Sequence, residues 1–282
     1  MKTIERVPLA LKIAKNMIRW RIRGGYRLLR VLGELGMLNV IVKYQLDRGV
    51  RISVPIFRAD TCWDRRDLMD YEMELIGSFC RFLEPLCNVI LFDCGADIGT
   101  FSALVCSQSS NVARVFAFEP NPVAAKFMKH NLSQLGVPSE AYTKAVGAVN
   151  GAGRLEIPDY DGSDHGRYLV LGDGPLEVLC IDSLGVRGGD IAIKADVEGG
   201  ELEVLKGASE TISSARKCVI AFEAHPKVTI RTGRDPVECL RFLSTLRKFN
   251  FVIAETGQSL STSSSVTTDA DTRIFNVIGW TP

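Results

Sequence analysis

The chain lacks any stretch approaching the roughly 18 uninterrupted apolar residues that cross a bilayer, so no membrane span is expected. Near its start it lacks a compact apolar segment followed by a small-residue cleavage site, so no secretory signal is read there. Its eight cysteines, at 62, 80, 87, 94, 106, 180, 218 and 239, include no C-x-x-C pair, which argues against a zinc ribbon or a dithiol redox motif. Several lie inside apolar runs, where a free thiol behaves as a small buried hydrophobe. A reducing, cytoplasmic compartment is therefore expected. There is no internal repeat. No G-x-G-x-x-G follows a strand-like run, and this argues against a dinucleotide fold.

What is present is ordinary in amount and uneven in placement. Over 282 residues, 46% are hydrophobic and 24% charged, which suits one large α/β domain with an N-terminal extension. Residues 2–30 carry nine Lys/Arg against a single acid, Glu5, a net of +8. With +1 overall, the rest of the chain stands at −7. Residues 1–38 thus read as a basic helical arm, interrupted at Gly24-Gly25, with apolar stripes through Ala10, Ala14, Met17 and Ile18 and through Leu28, Leu29 and Leu32. Either the arm touches anionic lipid, giving peripheral contact at the inner face of a membrane, or a polyanionic partner, or its charged face is merely solvated and its apolar side packs on the domain.

Residues 89–121 organise the remainder. Val89-Ile90-Leu91-Phe92 is an apolar run ending in Asp93; Gly95, Ala96 and Gly99 follow, and a helix starts near Phe101. A second run, Val112 to Phe118, ends in Glu119. That is strand, small-residue turn, helix, strand, with an acid at each carboxyl tip. Ligands of open parallel sheets bind at those tips, and an acid after the second strand suits a ribose diol.

Residues 39–88 read as a hairpin over Val40–Phe57, turning at Asp47-Arg48-Gly49, and a helix over Leu68–Leu83. Asn121-Pro122 caps a helix running to Leu135. Tyr142–Val146 is expected as a third strand. An inserted β-structure occupies about 148–180, with strands near Arg154–Ile157 and Leu176–Cys180 around a polar loop at 159–167. Ile191–Asp196 and Cys218–Phe222 are further strands, and Val237–Phe249 is a helix. Phe251–Ala254 and Ile274–Trp280 close the sheet as an antiparallel pair. The fold expected over 89–282 is a doubly wound, seven-stranded, mostly parallel Rossmann-like sheet with an antiparallel last strand.

Three segments resemble the FkbM family of methyltransferases: FDCGADIGTFS (Phe92–Ser102), AFEPNP (Ala117–Pro122) and IKADVEGGELEVLKGA (Ile193–Ala208), the last resembling its most specific signature. The likeness covers roughly 40–280 and implies a class I fold, S-adenosyl-L-methionine as cofactor, and O-methyl transfer to a hydroxyl of a sugar, glycan or secondary metabolite. It further implies that Asp93, Gly95, Ala96 and Gly99 line the methionine end, that Glu119 holds the ribose, and that Asn121 and Asn131 are candidates around the adenosine, Asn131 being equally suited to a helix end. Ala145 and Val146 would flank the adenine, and Asp196 would also meet the cofactor.

An alcohol acceptor must lose a proton, so a base is sought at a strand tip. Asp196, Glu198, Glu223 and His225 are the catalytic candidates. His225 has an ordinary pKa near neutrality, whereas a carboxylate would need an upward shift. Lys194 is expected to pair with a carboxylate, and His165 to be a surface residue. Asp196, Glu198 and Glu223 could supply oxygens to Mg²⁺, but their spacing is not diagnostic and no metal is assigned. Two other readings stay open: a nucleic-acid methyltransferase, disfavoured by the acidic body and the absent N-P-P-Y-type loop, and a non-catalytic, membrane-docked scaffold. Nothing in the residues sets the oligomeric state.

Overall fold

The computed structural model describes residues 2–4, 7–58, 61–62, 65–156, 168–224, 235–263 and 274–282. His225, His165 and the polar loop at 159–167 lie outside the described residues.

The arm forms two helices, α1 (Leu9–Arg19) and α2 (Gly25–Glu34), after a short strand β1 (Lys2–Ile4). The break falls at the two glycines for a steric reason. A Cβ on Gly25 would sit 2.9 Å from Ile18, so only glycine lets α2 start against α1. Leu11, Ala14, Leu29 and Leu32 point inward onto Val40, Val42 and Ile56, forming a small core of their own. The hairpin is present as β2 (Val40–Gln45) and β3 (Arg51–Pro55), joined through a helical turn at Asp47–Gly49. A two-residue pair, β4 (Phe57–Arg58) and β5 (Thr61–Cys62), follows.

The single helix expected over Leu68–Leu83 is two, α3 (Arg65–Asp70) and α4 (Met73–Leu83). They part at Tyr71-Glu72, where Glu72 takes a left-handed backbone, φ 43°. Apolar spacing continues across such a break, so periodicity alone conceals it.

The main sheet is built from β6 (Val89–Cys94), β7 (Val112–Phe118), β8 (Ser139–Tyr142), β13 (Asp190–Ala195), β14 (Lys217–Ala224), β15 (Asn250–Ile253), β16 (Ser259–Leu260) and β17 (Phe275–Trp280). Their order is β16-β15-β17-β14-β13-β6-β7-β8. Five strands, β8 to β14, run parallel, and β17 is antiparallel to both its neighbours. The sheet has one strand more than the seven expected, the edge pair member β16. On one face, α4, α5 (Thr100–Gln108) and α6 (Pro122–Leu132) cover residues such as Leu91, Val115 and Ala192. On the other, α7 (Glu201–Lys206), α8 (Ser209–Ser214) and α9 (Val237–Leu246) cover Phe92, Ile193 and Ile220. Because β6 and β13 are neighbours but their chains wind in opposite directions, their carboxyl ends open a crevice.

The third expected strand is divided. Ser139–Tyr142 joins the main sheet, while Ala145–Val146 forms β9 in a second, four-stranded sheet. There β9 pairs with β12 (Leu176–Leu179), which pairs with β10 (Gly151–Glu156) and through it with β11 (Tyr168–Leu171). The expected insertion is thus a small sheet that begins before residue 148.

Candidate active site

A cavity of about 790 Å³ opens at the carboxyl ends of β6, β7, β13 and β14. Gly95, Asp97, Glu119, Asn121, Ala145, Val146, Asp196, Glu198 and Glu223 all line it, so most of the expected site residues share one wall system. Lining it too are Val54 and Pro55 from β3, Tyr71 from the helix break, and Leu155, Leu169 and Leu171 from the small sheet.

At one end the β6 loop and the β7 tip are sewn together. Gly95 and Ala96 both donate backbone N–H groups to the Phe118 carbonyl at 3.0 Å. The Glu119 carboxylate accepts the Asp97 N–H at 2.9 Å on one oxygen and the Asn121 N–H at 2.7 Å on the other. Both oxygens are thereby fixed at the wall, as recognition of a ribose diol requires. Asn121 caps α6 by accepting the Val123 N–H at 3.0 Å.

Four expected cofactor residues sit elsewhere. Asp93 is fully buried and does not reach the cavity; its carboxylate accepts the Ser102 hydroxyl at 2.6 Å and its N–H at 3.2 Å. An acid at a strand tip next to a helix start is drawn to that helix's unsatisfied N–H groups, and here α5 has won it. Burial pushes the Asp93 carboxyl up, against the opposing pull of Lys194. Ala96 and Gly99 likewise shape the loop without lining the cavity. Asn131 is also fully buried and far from any ligand role. Its carbonyl accepts the Ser53 N–H at 2.7 Å, and its amide donates to the Ser53 and Ile98 carbonyls at 3.0 and 2.8 Å. It pins β3 to the β6 loop.

The other end is acidic. Asp196, Glu198, Glu203 and Glu223 line it, and Lys144, paired with Glu177 at 2.9 Å, is the one cation among the described lining residues. Lys194, 2% exposed, reaches Asp196 at 2.9 Å and lies 5.4 Å above the Phe101 ring. Desolvation alone would depress its ammonium, but Asp196, Glu72, Tyr71 and Asp93 together hold it well above the usual lysine range. Burial raises the Tyr71 phenol and, equally, the Glu72 carboxyl that it hydrogen-bonds. The glycine-rich turn after β13 is organised by Glu201, which accepts the Val197 and Gly199 N–H groups at 3.1 and 3.0 Å.

Glu223 is pushed up from an ordinary 4.5 to about 9, by burial first and then by the carboxylates of Asp196, Glu198 and Glu201. The upward shift that a carboxylate base needs is therefore present at Glu223. Among the described residues, no group of three or more His, Cys, Asp or Glu side chains is disposed to hold a metal ion.

Tyr71, Val54 and Pro55 could not have been picked from sequence, since no motif marks them. Glu201 had a visible signal: an acid directly after the Gly199-Gly200 pair, at a helix start, is a capping arrangement. A fixed carboxylate at one end and an acidic field at the other suit an adenosine-bearing ligand with a positive centre.

Residues 93–253, from the end of β6 through β15, match the model of the methyltransferase FkbM domain. The hexuronic acid methyltransferase AglP of Haloferax volcanii is 31% identical over 202 residues, 70% of this chain and 77% of that protein. The chain belongs to the FkbM methyltransferase family. Among solved structures, it is similar to the methyltransferase FkbM of Methylobacillus flagellatus KT, with TM-score 0.45 and 18% identity over 72% of this chain. It spans about half of that protein's length, 47%. A second likeness is to TYW2 of M. jannaschii in complex with AdoMet, with TM-score 0.39, 14% identity, and 85% and 84% of the two chains covered.

Proposed function

We propose that the protein transfers the methyl group of S-adenosyl-L-methionine to a hydroxyl of a sugar or glycan, with Glu223 as the base. The observation that carries this reading is the cavity itself, with one carboxylate clamped by backbone donors and another, Glu223, held protonated among acids. The hexuronic acid relative supports a sugar acceptor.

When bound, the cofactor supplies an electrophilic methyl on a sulfonium sulfur. Glu119 would hold the ribose hydroxyls, with Ala145 and Val146 against the adenine and Gly95 and Asp196 toward the sulfonium end. The acidic end offers that positive charge a complementary field. The same charge, beside Glu223, would draw its pKa back toward neutrality and free it to accept a proton. Glu223 would take the proton of the acceptor hydroxyl, and the cofactor, when bound, would supply the methyl to that oxygen. Placing the acceptor in line with the methyl supplies the larger share, on the order of 7–11 kcal/mol. Lys194 holds the Asp196 carboxylate in place, and Tyr71, Val54 and Pro55 bound the acceptor side.

Incubation with methyl-labelled S-adenosyl-L-methionine and a panel of neutral and uronic sugars tests this reading. Label in an alkali-stable methyl ether is expected. Label released by mild alkali would mean an ester and overturn hydroxyl transfer, and absence of cofactor binding by calorimetry would overturn the reading as a whole.

A further inference from the structure

The arm has two apolar faces, and only one of them is used by the fold. Leu11, Ala14, Leu29 and Leu32 complete the small core over Val40, Val42 and Ile56. Lys15 and Arg19 on α1 are tied to Asp67 of α3, which sets the arm's orientation on the body. The connection between the helices then projects Trp20, Arg21, Ile22 and Arg23 into solvent, followed by Tyr26 and Arg27 at the start of α2. Trp20 is 70% exposed, Ile22 50% and Tyr26 72%. Arg21 holds a left-handed backbone, φ 54°, so the tip is a formed turn and not a fraying end. Among the described residues, seven of the thirteen large apolar side chains that are most exposed lie between Leu9 and Leu35. Arg21, Arg23 and Arg27 have no carboxylate partner there.

Alternation of arginine with tryptophan, isoleucine and tyrosine is what a bilayer interface rewards. Indole and phenol rings settle at the headgroup level, guanidinium groups meet lipid phosphates, and the aliphatic side chain enters the acyl boundary. RNA would satisfy the arginines and stack bases on the aromatic rings, but it would leave Ile22 in water. The body of the chain, at −7, would be repelled by the same anionic surface, so the docking face is confined to the arm. We propose that the tip of the α1–α2 hairpin, centred on Trp20, Arg21, Ile22, Arg23, Tyr26 and Arg27, docks on an anionic lipid bilayer. The inference does not depend on which acceptor is methylated. Val42 of β2, part of the small core under the arm, lies opposite Val54 of β3, which lines the cavity, so that core adjoins the site.

The test is co-sedimentation of the full chain with phosphatidylcholine vesicles, with and without phosphatidylglycerol. Binding is expected only with the anionic lipid, together with a blue shift of tryptophan emission that Trp20→Phe abolishes. The double change Trp20→Ser/Ile22→Ser should lower partitioning by about tenfold or more. Arg21→Glu/Arg23→Glu should lower it by at least about fivefold per charge, an effect that added salt reproduces. These side chains are exposed, so thermal melting of each variant should match the parent. Failure to sediment with anionic vesicles overturns the proposal. So does sedimentation indifferent to Trp20→Ser/Ile22→Ser but lost on Arg21→Glu/Arg23→Glu, since that pattern marks a polyanion site such as RNA. Concentration-dependent self-association abolished by Trp20→Ser/Ile22→Ser, with no vesicle binding, would assign the face to a second copy instead.

Discussion

Glu119 and Glu223 stand at the tips of two parallel strands and line the same cavity, yet they are surrounded by opposite things. Backbone N–H groups of Asp97 and Asn121 point at Glu119. Around Glu223 there are mostly other carboxylates. Donors on both oxygens make a carboxylate a fixed acceptor, whereas burial among like charges makes it a proton carrier. On the proposed reading one residue type does two jobs, and the neighbours decide which.

The contrast breaks most sharply at Glu223. Glu223→Gln should lower kcat by about 10²- to 10⁴-fold while leaving cofactor affinity nearly intact, as steady-state kinetics and calorimetry will register. Its pH signature follows from the raised pKa. The protonated form favours the fold fully below pH 4.5, and that contribution is lost as pH rises towards about 9. Parental activity should climb across the same interval as the base is uncovered. In Glu223→Gln both slopes should flatten; an unchanged activity profile would remove Glu223 as the base and leave His225 to be tested next.

Next in size is Lys194→Met, which strands Asp196 and Glu72 without their buried cation. Urea unfolding should reveal a loss of about 3–5 kcal/mol at neutral pH. Part of it should return in mild acid, where the orphaned carboxyls take up protons. Glu119→Ala should weaken cofactor binding by about 1–3 kcal/mol, with kcat at saturation little altered. Equal affinity would mean that Glu119 is only a loop clasp. Smallest of all, Lys144→Ala removes a rim cation whose partner Glu177 is largely exposed, and melting should detect no more than about 1 kcal/mol.

Much of the β6–β7 end of the cavity was legible in sequence because its signals are local. Apolar runs ending in Asp93 and Glu119, the small-residue turn between them and the Asn121-Pro122 cap all act over a few residues. The antiparallel end was legible too, because the loop before Ile274 is too short for a crossover helix. What stayed hidden depends on distant partners. Ala145-Val146 is an apolar doublet that would suit either sheet, and only pairing with Val178 and Leu179 assigns it. Asp93 and Asn131 have the chemistry of ligands, but Ser102 in one case and Ser53 and Ile98 in the other occupy them. Tyr71 reaches the cavity because a helix breaks where the hydrophobic spacing does not.

One contact constrains how this site can change. A Cβ on Gly95 would lie 1.8 Å from the Asp196 carbonyl oxygen, at a backbone φ of 80°. The turn after β6 and the turn after β13 that carries the acidic end are therefore in backbone contact, with no room to slide. Variants selected for bulkier acceptors have little to gain by remodelling either turn. Their useful substitutions should accumulate on the outer walls, in the small sheet around Leu155, Leu169 and Leu171 and at Val54 and Pro55, where side chains can be exchanged without moving the reacting groups.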